Sequence, residues 1–148
     1  MNSAVNQRLL RSLVVLTGFG MLVSLYAVYQ HFSHGSSFCN INAQFNCDTV
    51  NRGPYSEIVG VPVAVIGALG YLWLHVLAHE LVRRPRVLVR NLFAASIVGA
   101  VLFTVYLAWV SHVKIGAWCP TCIASYVVIG VVTIIFGVVF VCDSKTTE

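Results

Sequence analysis

The sequence predicts an all-α membrane protein: a four-transmembrane-helix bundle with a long non-cytoplasmic loop between helices 1 and 2. Three observations carry that prediction. Apolar residues make up 58% of the 148-residue chain, and Asp, Glu, Lys and Arg only 9%. Soluble domains average roughly 25% charged residues, so this balance argues against a water-soluble globule. Four apolar stretches also have about the 20 residues needed to cross hydrocarbon. Finally, the few charges are clustered at the ends of those stretches. The net charge of +4 could suggest nucleic acid or anionic lipid. Because the arginines flank apolar runs, membrane orientation explains it more simply. The length suits one domain, 1–148, with no obvious internal repeat or low-complexity segment.

The first helix is expected over about 9–30, its apolar run covering 13–29 and its start reaching Leu9 across Arg11. No small-x-small cleavage site follows Tyr29, where the chain reads Gln30-His31-Phe32-Ser33-His34, so the run reads as a retained helix rather than a signal peptide. The loop 31–57 is too long and polar for a simple connector. It contains Asn40, Asn42, Gln44, Asn46, Asp48 and Asn51. It also carries Phe38, Ile41 and Phe45, which would let part of it lie against the bundle or the interface. The second helix is expected over 58–80, with Gly67, Gly70, Ala64 and Ala68 permitting close helix packing. The third covers 87–111, with Arg90 near its start, and the fourth 118–141. Arg8 and Arg11 precede the first helix, and Arg83, Arg84, Arg86 and Arg90 sit at the second connection. The other two connections carry only Arg52 and Lys114. The positive-inside rule then puts both termini and the arginine-rich turn in the cytoplasm. The loop 31–57 and the turn 111–117 face the other side, which in a bacterium is the oxidising periplasm.

Four of the five cysteines sort to that side. Cys39 and Cys47 lie in the first loop, and Cys119-Pro120-Thr121-Cys122 opens the fourth helix; Cys142 falls at the opposite end and reads as incidental. Pro120 suits a first helical turn, where its missing N–H is not needed. That makes Cys119 an N-cap and puts Cys122 one turn in. Unpaired N–H groups and the positive end of the helix dipole favour a thiolate there, the species that attacks a disulfide or a quinone carbon. The spacing brings both sulfurs to one face, able to form a disulfide. A mobile loop would carry the second pair between a soluble partner and this motif, since exchange needs the approach of one sulfur to another.

These residues resemble the bacterial vitamin K epoxide reductase homologues. The resemblance rests on Cys39-Asn40-Ile41-Asn42-Ala43, Asn46-Cys47-Asp48-Thr49-Val50-Asn51, Tyr55-Ser56 and Gly60-Val61-Pro62, then Cys119-Pro120-Thr121-Cys122 followed by Tyr126. It covers nearly the whole chain and keeps the family's order, loop pair first and CxxC on the fourth helix. It implies a thiol:quinone oxidoreductase with Cys39, Cys47, Cys119 and Cys122 as catalytic residues. Cys122 would face the quinone, ubiquinone or menaquinone, and form a covalent or charge-transfer adduct. Cys119 would exchange with Cys47, and Cys39 would meet the outside partner. Tyr126, four residues after Cys122 and so on the same helix face, would donate a hydrogen bond to a quinone oxygen. Many relatives are fused to a thioredoxin-like domain. This chain reads as the single-domain form, whose partner would be a separate periplasmic DsbA-like protein of thioredoxin fold. The expected location is the bacterial inner membrane, with both cysteine pairs periplasmic.

Two positions depart from the pattern. Gly53 stands where the family usually has Ser or Thr, with Ser56 three residues later. Val63 stands where vertebrate members have a quinone-binding Asn. Other readings stay open. The same residues serve net reduction of vitamin K epoxide or quinone, since direction depends on relative potentials. Four cysteines also suit two static disulfides in a structural membrane protein, or zinc, although Cys39 and Cys47 are widely spaced for a zinc knuckle. His75 and His79, with Glu80 adjacent, have metal-ligand spacing, yet they sit where polar residues usually mark an interface, and no metal site is assigned. His31, His34 and His112 read as interfacial residues, Asp48 as a turn or cap residue. Tyr126 alone would pass for part of an aromatic belt with Trp118.

Overall fold

The structure is a computed structural model that describes residues 3–33 and 35–144; His34 lies outside the described residues. In chain order the elements are α1 (Ser3–Phe32), a short α2 (Cys47–Asn51), a hairpin of β1 (Glu57–Ile58) and β2 (Val61–Pro62), then α3 (Val63–Arg83), α4 (Val87–Val110) and α5 (Pro120–Ser144). Among the described residues, four helices, α1, α3, α4 and α5, are long and apolar enough to cross a membrane. They run up and down, so one end of the bundle carries the long loop and the other the arginine-rich turn.

α1 packs chiefly on α3 and then on α5, while α4 lies against α3 and α5. The buried face of α3 repeats at helical spacing through Tyr71, Leu74, Leu77, Ala78 and Leu81. Its outer face, with Leu69, Leu72, Trp73 and Val76, is just as apolar and exposed, as a surface solvated by lipid should be. Phe93 of α4 meets Phe136 of α5 at 4.9 Å between centroids, a tilted edge-on pair worth about 0.5–1.5 kcal/mol beyond its burial. Toward the arginine end, His75 is bound between Thr17 Oγ1 and the Val14 carbonyl, both at 3.2 Å, and stacks near His79, so its ring ties α1 to α3.

The close approach of α1 to α3 depends on a glycine other than those singled out in the sequence. A Cβ on Gly20 would stand 2.0 Å from the Tyr71 ring. A Cβ on Gly67 would meet only Ser24 Oγ at 3.8 Å, and one on Gly70 would meet nothing within 4 Å. Gly67 and Gly70 border a cavity instead, and the expectation that they permit close packing is corrected.

The loop end departs from uniform helix. α3 starts at Val63, not at 58, because residues 57–62 form the hairpin, its turn made by Val59 and Gly60 at φ 53° and 78°. α4 continues into a π-helical turn, Ser111–Ile115, that ends at Gly116 in the left-handed region at φ 69°. Here glycine is needed, because a side chain is disfavoured at that backbone angle. Trp118 lies outside α5, paired with the loop.

Candidate functional site

Backbone pairing brings the two cysteine segments together. Asn46 N donates to the Trp118 carbonyl at 2.9 Å, and Trp118 N to the Gln44 carbonyl at 2.7 Å, a one-rung parallel bridge centred on Phe45 and Trp118. The residues that follow the bridge on each strand are therefore neighbours, and they include Cys47 and Cys119. Asn46 also caps α2, its side chain accepting from Thr49 N at 3.0 Å.

Cys39 and Cys47 form a disulfide, and Cys119 Sγ lies 3.3 Å from Cys47 Sγ. This is inside the van der Waals separation of two sulfur atoms, so the distance for exchange is spanned without displacing the loop. The moving carrier expected from the loop's length is unnecessary for this contact. Cys47 and Cys119 are fully buried, whereas Cys39 is half-buried beside a fully exposed Phe38.

Cys119 occupies the N-cap of α5. Its carbonyl accepts from Ile123 N at 2.9 Å, and its sulfur accepts from Cys122 N at 3.4 Å. Hydrogen bonding from the Cys122 thiol is the largest influence on its acidity, aided by the Cys122 and Thr121 backbone N–H groups. Together they overcome burial and pull the Cys119 thiol down from 9.0 to about 7.

The loop has its own organising centre in Asp48. Its carboxylate accepts from Ser37 N, Ser37 Oγ and Asn40 Nδ2, while Asp48 N donates to Asn40 Oδ1 at 3.3 Å. Arg52 Nη1 adds an ion pair at 3.5 Å. Ser37 and Asn40 flank Cys39, so one carboxylate fixes the segment that carries the outer sulfur. Burial works against ionisation, but these hydrogen bonds prevail and the carboxyl titrates below its ordinary 3.8. Its role as a turn residue is thus larger than a single cap.

Gly53 is fixed by packing: a Cβ there would stand 2.4 Å from the Thr49 carbonyl oxygen. The hydroxyl that the family pattern puts at this position cannot be fitted without moving the turn. Ser56 is buried and borders a small cavity of about 40 Å³ together with Cys122 and Tyr126. His31 bonds the Asn51 carbonyl and approaches Glu57 at 3.5 Å, so it ties the end of α1 to the loop.

A larger cavity of about 350 Å³ opens between α1, α3, α4 and α5. Its wall is mostly apolar, with Gly67, Gly70, Phe103 and Leu107, and Val63 contributes methyl groups rather than an amide. Cys122, Tyr126, Ser125 and Tyr71 supply the polar edge. An apolar cleft with a few convergent polar groups fits a flat quinone ring with two carbonyl oxygens. Tyr71 has its hydroxyl committed, donating to the Ser125 carbonyl at 2.7 Å and accepting from Ser125 Oγ at 3.0 Å. Tyr126 pairs with the side chain of Ser111, which the π-helical turn buries. Cys142 lies twenty residues beyond Cys122 on α5, about 30 Å along the helix.

A family model described as the vitamin K epoxide reductase family matches residues 11–137. The chain belongs to the vitamin K epoxide reductase family. No curated protein matches it. Vitamin K epoxide reductase family proteins are membrane oxidoreductases that use quinones and work with thioredoxin-like partners, and this member carries a disulfide with free thiols beside it, as such a reaction needs.

The structure brings Cys39, Cys47 and Cys119 together, and gathers Cys122 and Tyr126 at the cavity. Sequence reasoning missed Gln30, Asn51 and Thr121 as neighbours of the sulfurs. Thr121 Oγ1 lies 3.4 Å from Cys47 Sγ and 3.5 Å from Cys39 Sγ. The signal available for Asn51 was its position four residues after Cys47, on the same face of a short helix.

Proposed function

We propose that this protein passes electrons from a reduced periplasmic thioredoxin-fold protein to a membrane quinone, and so supports disulfide formation in secreted proteins. The observation that carries the proposal is the 3.3 Å contact between Cys119 and the Cys39–Cys47 disulfide, with Cys122 on the wall of an apolar cavity. Cys39 is the sulfur a bulky partner can approach, so the partner thiolate attacks Cys39, the Cys39–Cys47 bond breaks, and the electron pair leaves on Cys47. A second partner thiol then resolves the mixed disulfide and frees Cys39. The reduced Cys47 thiolate attacks Cys119 of an oxidised Cys119–Cys122 pair and expels Cys122. Cys39 attacks Cys47 and expels Cys119, which restores the loop disulfide and leaves Cys119 and Cys122 reduced. A bound quinone supplies a two-electron, two-proton acceptor that returns the inner pair to the disulfide. Cys122, on the cavity wall, would make that transfer, with the Tyr126 hydroxyl as a proton donor beside it. The alternative reading keeps this electron flow through the same cysteines and makes reduction of vitamin K epoxide or quinone, rather than disulfide formation, the useful outcome.

The test is anaerobic quinone reduction by the purified protein with a reduced thioredoxin-fold protein as electron donor. One disulfide should form per quinone reduced. Cys122→Ala should abolish turnover, and Cys142→Ala should leave it intact. Quinone reduction at the normal rate by Cys122→Ala would remove the proposed path. Bridges that resist mild dithiothreitol and do not cycle with quinone would point to a structural role. A membrane-impermeant thiol reagent should reach the reduced Cys39 from the periplasmic side of spheroplasts. Labelling only from the cytoplasmic side would overturn the assigned orientation.

A further inference from the structure

Gln30 is 2% exposed and sits near the loop end of α1, in a stretch otherwise read as membrane span. A buried amide is costly unless both of its ends are bonded. Gln30 meets that demand at the sulfurs. Its Nε2 donates to Cys39 Sγ at 3.0 Å, and its Oε1 accepts from Asn51 Nδ2 at 3.1 Å. The same Asn51 amino group faces Cys119 Sγ at 3.9 Å. Arg52 Nε donates to the Gln30 carbonyl at 2.9 Å and holds this part of α1 to the loop. Two linked amides therefore reach the two outer members of the array Cys39–Cys47···Cys119, while the central sulfur receives neither.

That distribution matches how charge moves in thiol–disulfide exchange. When the Cys119 thiolate attacks Cys47 Sγ, the Cys47–Cys119 bond forms, the Cys39–Cys47 bond breaks, and the electron pair leaves on Cys39 Sγ. In the reverse step the Cys39 thiolate attacks Cys47 and the pair leaves on Cys119. Negative charge is carried by the outer sulfurs in both directions, through the same transition state. Fixed donors aimed at atoms where charge develops lower the barrier, as an oxyanion hole does for oxygen.

The geometry points to Gln30 as a catalytic residue of the sulfur exchange, forming with Asn51 a pocket of amide donors for the thiolates at both ends of the array, Gln30 for Cys39 and Asn51 for Cys119. Thr121 Oγ1 is the second donor to Cys39, at 3.5 Å. The inference rests on the proposed exchange between the loop pair and Cys119.

The experiment uses the full-length protein in detergent with Cys122→Ser. There the loop disulfide with a Cys119 thiol equilibrates with a Cys47–Cys119 bridge and a Cys39 thiol. Alkylation across a pH series, with mass spectrometry to locate the label, reports each thiol separately. Gln30→Met keeps the unbranched length and removes the donor. It should raise the pH midpoint of Cys39 alkylation by about one unit and lower the Cys39-labelled fraction at neutral pH about tenfold, as expected for a lost hydrogen bond to a charged sulfur. Gln30→Glu keeps an oxygen for Asn51 and puts an acceptor beside Cys39, so it should shift the midpoint the same way. Loosened packing alone would change rates without moving that midpoint. A Cys47–Cys119 bridge that forms with an unchanged Cys39 midpoint in both variants overturns the role of Gln30. If the Cys122→Ser protein with Gln30 intact forms no such bridge at any pH, the exchange reading fails, and the inference with it.

Discussion

Asn46 donates its backbone N–H to the Trp118 carbonyl at 2.9 Å, and this bond sets Cys47 against Cys119. It follows that Cys39→Ser, which removes the sulfur proposed to resolve the bridge, should accumulate Cys47–Cys119 within the chain. Adding Asn46→Pro removes the N–H and the Asn46 side-chain cap, and should reduce that bridge. Asn46→Ala loses only the cap, costing about 1 kcal/mol, and should retain it. Non-reducing peptide mapping reads the outcome. Cys39 joined to Cys119 in otherwise intact protein would reverse the order of the proposed relay.

The acidity of Cys119 gives a pH dependence. Its thiol is brought down to about 7 by the Cys122 thiol and the N–H groups at the start of α5. The reactive thiolate therefore dominates above pH 7 and is lost as pH falls through 7. Formation of the Cys47–Cys119 bridge should slow on acidification below that value and level off above it, in stopped reactions quenched with acid. A thiol of ordinary acidity would still gain rate up to pH 9.

Gly53→Ser restores the hydroxyl of the family pattern, but the new Cβ would meet the Thr49 carbonyl oxygen at 2.4 Å. Backbone cannot yield as a flexible side chain can. The substitution should lower stability by about 1–3 kcal/mol and reduce turnover. Thermal unfolding with and without the change measures it, and higher turnover would show that the hydroxyl matters more than the turn.

The sequence made the four spans legible because a membrane demands long apolar runs and leaves few places for charge. It did not reveal which side of each helix faces inward. Leu72 and Leu74 are both leucines of one run, yet one meets lipid and the other the core. The same ambiguity misassigned Gly67 and Gly70, which border the cavity, while Gly20 admits the Tyr71 ring. The cysteine pairs could be found from spacing. The bridge at Phe45 and Trp118 could not, because backbone pairing over one rung leaves no side-chain period. Gln30 was hidden for another reason: a polar residue at the end of an apolar run reads as the membrane interface. Val59 in the left-handed region, an unfavourable place for a β-branched residue, concealed the hairpin.

Asp48 should control the presentation of Cys39. Its carboxylate holds Ser37 and Asn40 on either side of that cysteine. Asp48→Ala should cost about 1–2 kcal/mol, a modest figure because the site is partly solvated, and make the loop disulfide easier to reduce with dithiothreitol. Since the folded carboxyl titrates below 3.8, its contribution is complete above that value and is lost as pH falls through the lower folded value. Reduction of the wild-type loop disulfide by a phosphine, which needs no thiolate, should therefore become easier below about pH 4, whereas the Asp48→Ala loop should show no such transition.

Two tyrosines at the cavity should behave differently when their hydroxyls are removed. Tyr71 donates to the Ser125 carbonyl and accepts from Ser125 Oγ, so its hydroxyl clamps α3 to α5. Tyr126 stands one turn from Cys122 on the same wall, and its hydroxyl pairs with a side chain rather than with backbone. Tyr126→Phe keeps the ring and should leave thermal stability nearly unchanged. Loss of one neutral hydrogen bond, about 0.5–1.5 kcal/mol, should raise the apparent KM for quinone by up to about tenfold. Tyr71→Phe removes both the added donor to the Ser125 carbonyl and the acceptor of Ser125 Oγ, and should lower the unfolding temperature, with a smaller effect on quinone KM. Steady-state kinetics and thermal unfolding of both variants separate the two roles. If Tyr126→Phe lowered stability and left KM unchanged, Tyr126 would be a packing residue like Tyr71, and Cys122 would meet the quinone without its help.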